Sequence, residues 1–133
     1  MSYCFCGFVD KEPAAFIAIM SFPHPSHPTW RVHRVVCRPA YQGIGIGNAL
    51  TEYVCGLFRA TGKPVTITTS HPAIVHSYAR SKKWDMTRKP SRVRKSDSSH
   101  DMAKTKSTSR ITAGFKYKGR PNPKEAKAFG LLN

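Results

Sequence analysis

The segment Gln42-Gly43-Ile44-Gly45-Ile46-Gly47 sets three glycines among six residues. It follows an apolar run, Val35-Val36-Cys37, and opens an amphipathic stretch from Asn48 to Thr61. A strand, a glycine-dense turn and a helix in that order build an anion cradle. Glycine lets the backbone approach a ligand closely and takes positive φ at little steric cost. The first amides of a helix have no intrahelical acceptor and, with the helix dipole, point at negative oxygens. The chemistry predicted for Gln42 to Asn48 is therefore phosphate binding through main-chain N–H groups. A tight strand-to-helix turn without a ligand is the competing reading of the same residues.

Spacing narrows the ligand. A dinucleotide loop needs G-x-G-x-x-G. Counted from Gly43 the third glycine falls on Asn48, and counted from Gly45 it falls on Leu50. A nucleoside-triphosphate loop ends in Gly-Lys-Ser/Thr, and no lysine follows Gly47. The pattern Gln42-x-x-Gly45-x-Gly47, behind a strand that ends Val35-Val36-Cys37-Arg38-Pro39, resembles motif A of the GNAT N-acetyltransferase superfamily. Pro39 and Tyr41 match common flanking choices of that motif. A second segment supports the resemblance. Val65-Thr66-Ile67-Thr68-Thr69 is β-branched, and His71-Pro72-Ala73 follows, with Tyr78 seven residues after His71. This is similar to the superfamily's motif B, with His71 in place of the usual asparagine, Lys83 in place of a glycine, and Trp84 for the aromatic.

The resemblance implies a fold, a co-substrate and roles. The fold class is α/β, an α+β mixed sheet of the GNAT-like acyl-CoA N-acyltransferase type, lacking the usual N-terminal strand and helices. The co-substrate is acetyl-CoA or another acyl-CoA. Its pyrophosphate would lie on the amides of Gln42, Gly43, Ile44, Gly45, Ile46, Gly47 and Asn48, and its pantetheine arm on the strand at Val35, Val36 and Cys37. A main-chain amide near Val36 and Cys37 would polarise the thioester carbonyl. Tyr78 would protonate the leaving thiolate. For a base the sequence offers His33, His71 and His76, all of a type that titrates near neutrality. His33 is preferred because it lies on the strand bordering the thioester. A nucleophilic Cys37 is disfavoured, since direct attack is the superfamily's habit. No metal site is expected.

These residues need elements to hold them. Tyr3 to Val9 and Ala14 to Phe22 read as an antiparallel hairpin turning at Asp10 to Pro13. Pro23 to Pro28 contains three prolines and must be a loop. Arg31 to Cys37 is the strand that leads into the cradle. Ala49, Leu50, Tyr53, Val54, Leu57 and Phe58 recur at helical spacing, with Gly62 suited to the end. A strand at 65–69 and a helix from Pro72 to Ser81 follow. Lys89 to Ser109 reads as a mobile basic loop, Arg110 to Lys118 as a late strand with an exposed cationic face, and Gly119 to Asn133 as a frayed basic tail with a short helix near Lys124 to Phe129. The domain is thus expected over 1–118, with a tail over 119–133. The resemblance covers 3–84 well and 110–118 loosely. The portion absent before Tyr3 normally walls the acceptor, so the chain reads as a short form, a fragment, or half of a site completed in a homodimer.

Composition bounds the partners. At 133 residues one domain is the natural size. No stretch approaches the roughly 20 apolar residues of a membrane span, and no signal peptide is visible. Cys4, Cys6, Cys37 and Cys55 read as reduced thiols of a cytoplasmic protein, serving as core filler. The net charge is +15, and residues 82–133 hold 15 of the 22 lysines and arginines. That asymmetry predicts a polyanion, DNA or RNA, bound through the Lys82–Lys127 segment. Two functions follow. One is an acyl-CoA-dependent N-acyltransferase whose acceptor is a nucleic acid or a nucleic-acid-associated protein; its narrowest form resembles the Mom-like DNA-adenine modification proteins of phages and mobile elements. The other is a non-catalytic nucleic-acid-binding module with a degenerate GNAT core.

Overall fold

The structure is a computed structural model, and it describes residues 2–22, 26–92 and 111–132. Ser2–Val9 (β1) and Glu12–Phe22 (β2) form the expected hairpin, with Asp10 and Lys11 at positive φ in the turn. Thr29–Cys37 (β3) runs into a 3-10 turn at Pro39–Tyr41 and then into the helix Ile46–Arg59 (α1). Val65–Thr69 (β4), Pro72–Arg80 (α2), Trp84–Arg92 (β5), Ile111–Tyr117 (β6) and Pro123–Ala128 (α3) follow among the described residues. The six strands form one sheet in the order β1-β2-β3-β4-β6-β5. Among the described strands only β3 and β4 pair in parallel, because α1 carries the chain back across the sheet between them.

Register gives each face its character. Tyr3, Ile19, Val32, Ile67 and Phe115 are successive partners across five strands. Against that row pack Val54, Leu57 and Phe58 of α1, Tyr78 of α2 and Ala126 of α3, so these three helices share one face. Tyr3 and Phe5 meet Phe58 edge-on at 5.4 and 5.9 Å. The alternate row, Met20, Arg31, Thr66, Lys116 and Asp85, lies on the other face. Among the described residues no helix packs on that face.

Three expectations need correction. Cys4 and Cys6 are exposed rather than core, because Tyr3 and Phe5 take the inward positions of β1; Cys55 is the buried one. The stretch from Lys89 does not begin as a loop. Lys89 to Arg92 belong to β5, paired with β6 at the sheet edge, where a proline and charges are tolerated. The rest of the expected loop, 93–109, lies outside the described residues. The described part of the expected frayed tail is docked. Asn122 Oδ1 caps α3 by accepting from the Glu125 amide, and the Asn122 amide donates to Gly56 O at 3.0 Å. Gly56 explains how the chain lies so close to α1, since a Cβ there would stand 3.2 Å from Arg120 O. Phe129 then meets Phe5 at 5.6 Å.

Candidate active site

The site begins where two parallel strands part. Pairing between β3 and β4 is limited to Trp30–Val32 with Val65–Ile67. Beyond it, β4 stays bound to β6, and the β4-facing edge of β3 from His33 to Cys37 has no ladder partner. A bulge assists the parting. Ile19 pairs with Val32 and Ala18 with Arg34, so His33 is an extra residue on β3. A cavity of about 630 Å³ opens between the strands and runs to the start of α1.

The loop at its far end has the expected backbone. Gly43 and Gly45 take φ of +82° and +86°, where any other residue is strained. Gln42 Nε2 donates to Cys37 O at 2.9 Å and ties the loop's entry to the end of β3. Gly45 is the N-cap of α1, with no side chain in the capping role, and the Ala49 amide is the first of the helix to bond back, to Gly45 O at 2.9 Å. The amides from Gly43 to Asn48 thus have no acceptor among the described residues. No acidic residue lies in the first turn to compete for an anion. At Gly47 an added Cβ would rest 3.7 Å from Cys37 Cβ, an ordinary contact.

Tyr78, on α2, lines the cavity. Its ring stacks on Trp84 at 4.2 Å and meets Phe115 edge-on at 5.5 Å, so its position is rigid. Its hydroxyl has no hydrogen-bond partner among the described residues. Burial, helped by the nearby Cys55 and Glu52, pushes the phenol well above its ordinary 10.0. It therefore stays protonated at neutral pH.

Of the residues expected to act, Val35, Cys37, Gln42, Gly43, Gly45, Ile46, Gly47, Asn48, His33 and Tyr78 line this one cavity. Val36 and Ile44 do not. Val36 pairs with Phe16 on the open face, and Ile44 points to solvent. His33 contributes to the wall, but its imidazole Nε2 lies 3.4 Å from Ser2 Oγ, which places the ring on the open face of the sheet. His71 lines the cavity at the N-cap of α2, whereas His76 is held by Arg80 at 3.2 Å and is not in the wall. Sequence reasoning missed Thr68, Thr69 and Ser70 at the end of β4. The rule that ligands bind outside the carboxyl ends of parallel strands points to them.

The unpaired strand edge, the bare amides and the Tyr78 phenol lie along one cavity. Residues 2–80 match the Acetyltransferase (GNAT) family. The chain belongs to that family, whose members draw their acyl group from acetyl-CoA. Among solved structures it is similar to a nourseothricin acetyltransferase, at TM-score 0.62 and 15% identity, covering 89% of this chain and 66% of that one. It is also similar to the ribosomal-protein-S18-alanine N-acetyltransferase of Escherichia coli, at TM-score 0.60 and 15% identity, covering 92% and 73%. A third likeness is to the NatB acetyltransferase complex bound to CoA, at TM-score 0.56 and 11% identity, covering 90% and 73%. At such identities the likeness is one of fold, and the chain spans about two thirds of the nourseothricin enzyme's length. No curated protein matches the sequence.

Proposed function

We propose that the protein is an acetyl-CoA-dependent N-acyltransferase whose amine acceptor is a nucleic acid or is bound to one. The observation that carries the reading is the run of unpartnered amides, Gly43 to Asn48, opening directly into the parting of β3 and β4. When bound, the coenzyme supplies an activated acetyl thioester. The amides of Gly43, Gly45, Ile46, Gly47 and Asn48 hold its phosphates, and the dipole of α1 adds to their field. The free edge of β3 at Val35 and Cys37 takes up the arm and aims an amide at the carbonyl oxygen. Tyr78 keeps its proton at neutral pH and stands ready to give it to the departing sulfur. His33 lies on the face from which an acceptor can arrive, and there it takes a proton from the amine.

The acceptor class rests on charge: +15 overall, concentrated after Lys82. DNA-adenine modification is the narrowest version of this reading and rests on the loop sequence and charge alone. A cytoplasmic setting fits the free cysteines. Calorimetric titration with acetyl-CoA tests the core of the proposal. Binding at micromolar to submillimolar concentration is expected, and none at millimolar ligand would overturn it. Nucleic-acid binding without coenzyme binding would favour the non-catalytic module instead.

A further inference from the structure

The open face carries a second depression, of about 460 Å³. It shares Ile67 and Thr68 with the cavity already described, so the two meet through the parting of β3 and β4. Arg31 and Arg88 both line it, and among the described residues no carboxylate does. Arg31 Nη2 donates to Thr68 Oγ1 at 3.4 Å, and its guanidinium lies 5.3 Å from the centre of the Phe22 ring. Arg88 is held more firmly. Its Nη1 donates to Ser91 Oγ at 2.7 Å and to Thr112 O at 3.2 Å, and its Nη2 donates to Thr112 Oγ1 at 2.6 Å. Each guanidinium has five N–H donors, so both keep donors to spare. Gly114 lines it too. A Cβ there would stand 3.1 Å from Thr87 Oγ1 and 3.4 Å from Arg88 Cβ, so the depression exists because this strand position has no side chain.

Guanidinium groups fixed by neutral hydroxyls, and facing no carboxylate among the described residues, are arranged for an incoming oxyanion. We propose that Arg31 and Arg88 bind an oxyanion group of the acceptor, phosphate or carboxylate, and so present its amine at the Ile67–Thr68 junction. This deepens the acyltransfer reading and rests on it. It makes the acceptor an amine that carries its own negative charge.

The test is site-resolved. Amide shifts of the ¹⁵N-labelled protein are followed by NMR during titration with O-phosphoethanolamine, β-alanine, a short single-stranded oligonucleotide, and ethanolamine as the uncharged control. Shifts at Thr68 and Gly114 are expected with at least one anionic probe, and which probe acts names the oxyanion's source. Arg31→Gln or Arg88→Gln should weaken that response at least about tenfold, the loss of a charge-assisted hydrogen bond. Arg31→Gln is the safer variant, because Arg88 also bonds Thr112. Three results would overturn the proposal: equal shifts with ethanolamine, anion-induced shifts confined to Gly43–Asn48, or an unchanged response in both variants. The Gly43–Asn48 amides are titrated separately with acetyl-CoA. Their silence would count against the coenzyme site, and the Gly114 readout would still decide the oxyanion site.

Discussion

Tyr78 is the residue on which the proposed chemistry depends most. Phenylalanine preserves its stack on Trp84 and its edge contact with Phe115. The hydroxyl has no partner to lose, so Tyr78→Phe should leave stability nearly unchanged at neutral pH. As a lost general acid, it should lower kcat by about a hundredfold or more while the Kd for acetyl-CoA stays the same. Steady-state kinetics beside calorimetry separates the two. The raised phenol pKa adds a pH prediction. Burial, the leading cause, disfavours the phenolate in the folded state. The folded protein therefore keeps this proton above pH 10 while the unfolded chain releases it. The sign is that Tyr78 contributes no destabilisation below pH 10 and a growing one above it. Thermal melts at pH 8 and pH 11 should show an alkaline loss that is smaller in Tyr78→Phe. Between pH 6 and 9 no limb of the rate profile should belong to Tyr78.

The loop and α1 act as one element, and two of its glycines serve different ends. Gly45 needs its positive φ, so Gly45→Ala should cost about 1–2 kcal/mol of stability, read from denaturant unfolding. Gly47 has ordinary φ and room for a Cβ. Gly47→Glu puts an acid in the first turn, where the dipole favours it, so melting should hold or rise. Acetyl-CoA affinity should nevertheless fall more than about tenfold, because the carboxylate faces the phosphates. A loss of both properties together would make the loop structural only. This element was legible because glycine spacing and helical period are local signals. Other elements were not. β5 carries Pro90 and four charged residues, so it lacks the alternation by which strands are read, and only the sheet edge tolerates it. The two faces of β1 are both apolar enough to be core, and α1 decides between Tyr3–Phe5 and Cys4–Cys6. The bulge at His33 belongs to the pairing of β2 with β3, and Gly56 in mid-helix makes sense only once the chain at Arg120 lies over it. What the sequence hid in each case is a relation between distant segments.

At the scale of the whole molecule, the sheet divides the protein into a side covered by helices and a side that is open. The proposed coenzyme cavity opens toward α1 and α2, while Arg31 and Lys116 lie on a row that faces the other way. With a net charge of +15, the open side should bind nucleic acid without obstructing the loop. This two-sided arrangement predicts two independent affinities with different salt laws. Binding of a 20-nucleotide single strand, followed by fluorescence anisotropy, should weaken by about a thousandfold between 50 and 200 mM salt if it neutralises about seven phosphates. Acetyl-CoA presents only a compact group of phosphates to main-chain amides, so its affinity should fall far less over the same range. Gly47→Glu provides the cross-check. It should lower the second affinity more than about tenfold and leave the first with its slope intact. If that variant, shown to be folded, also lost the nucleic acid, the strand would be lying in the coenzyme cradle. The positive charge would then serve the cradle itself, and the open face would have to be assigned to something other than a polyanion.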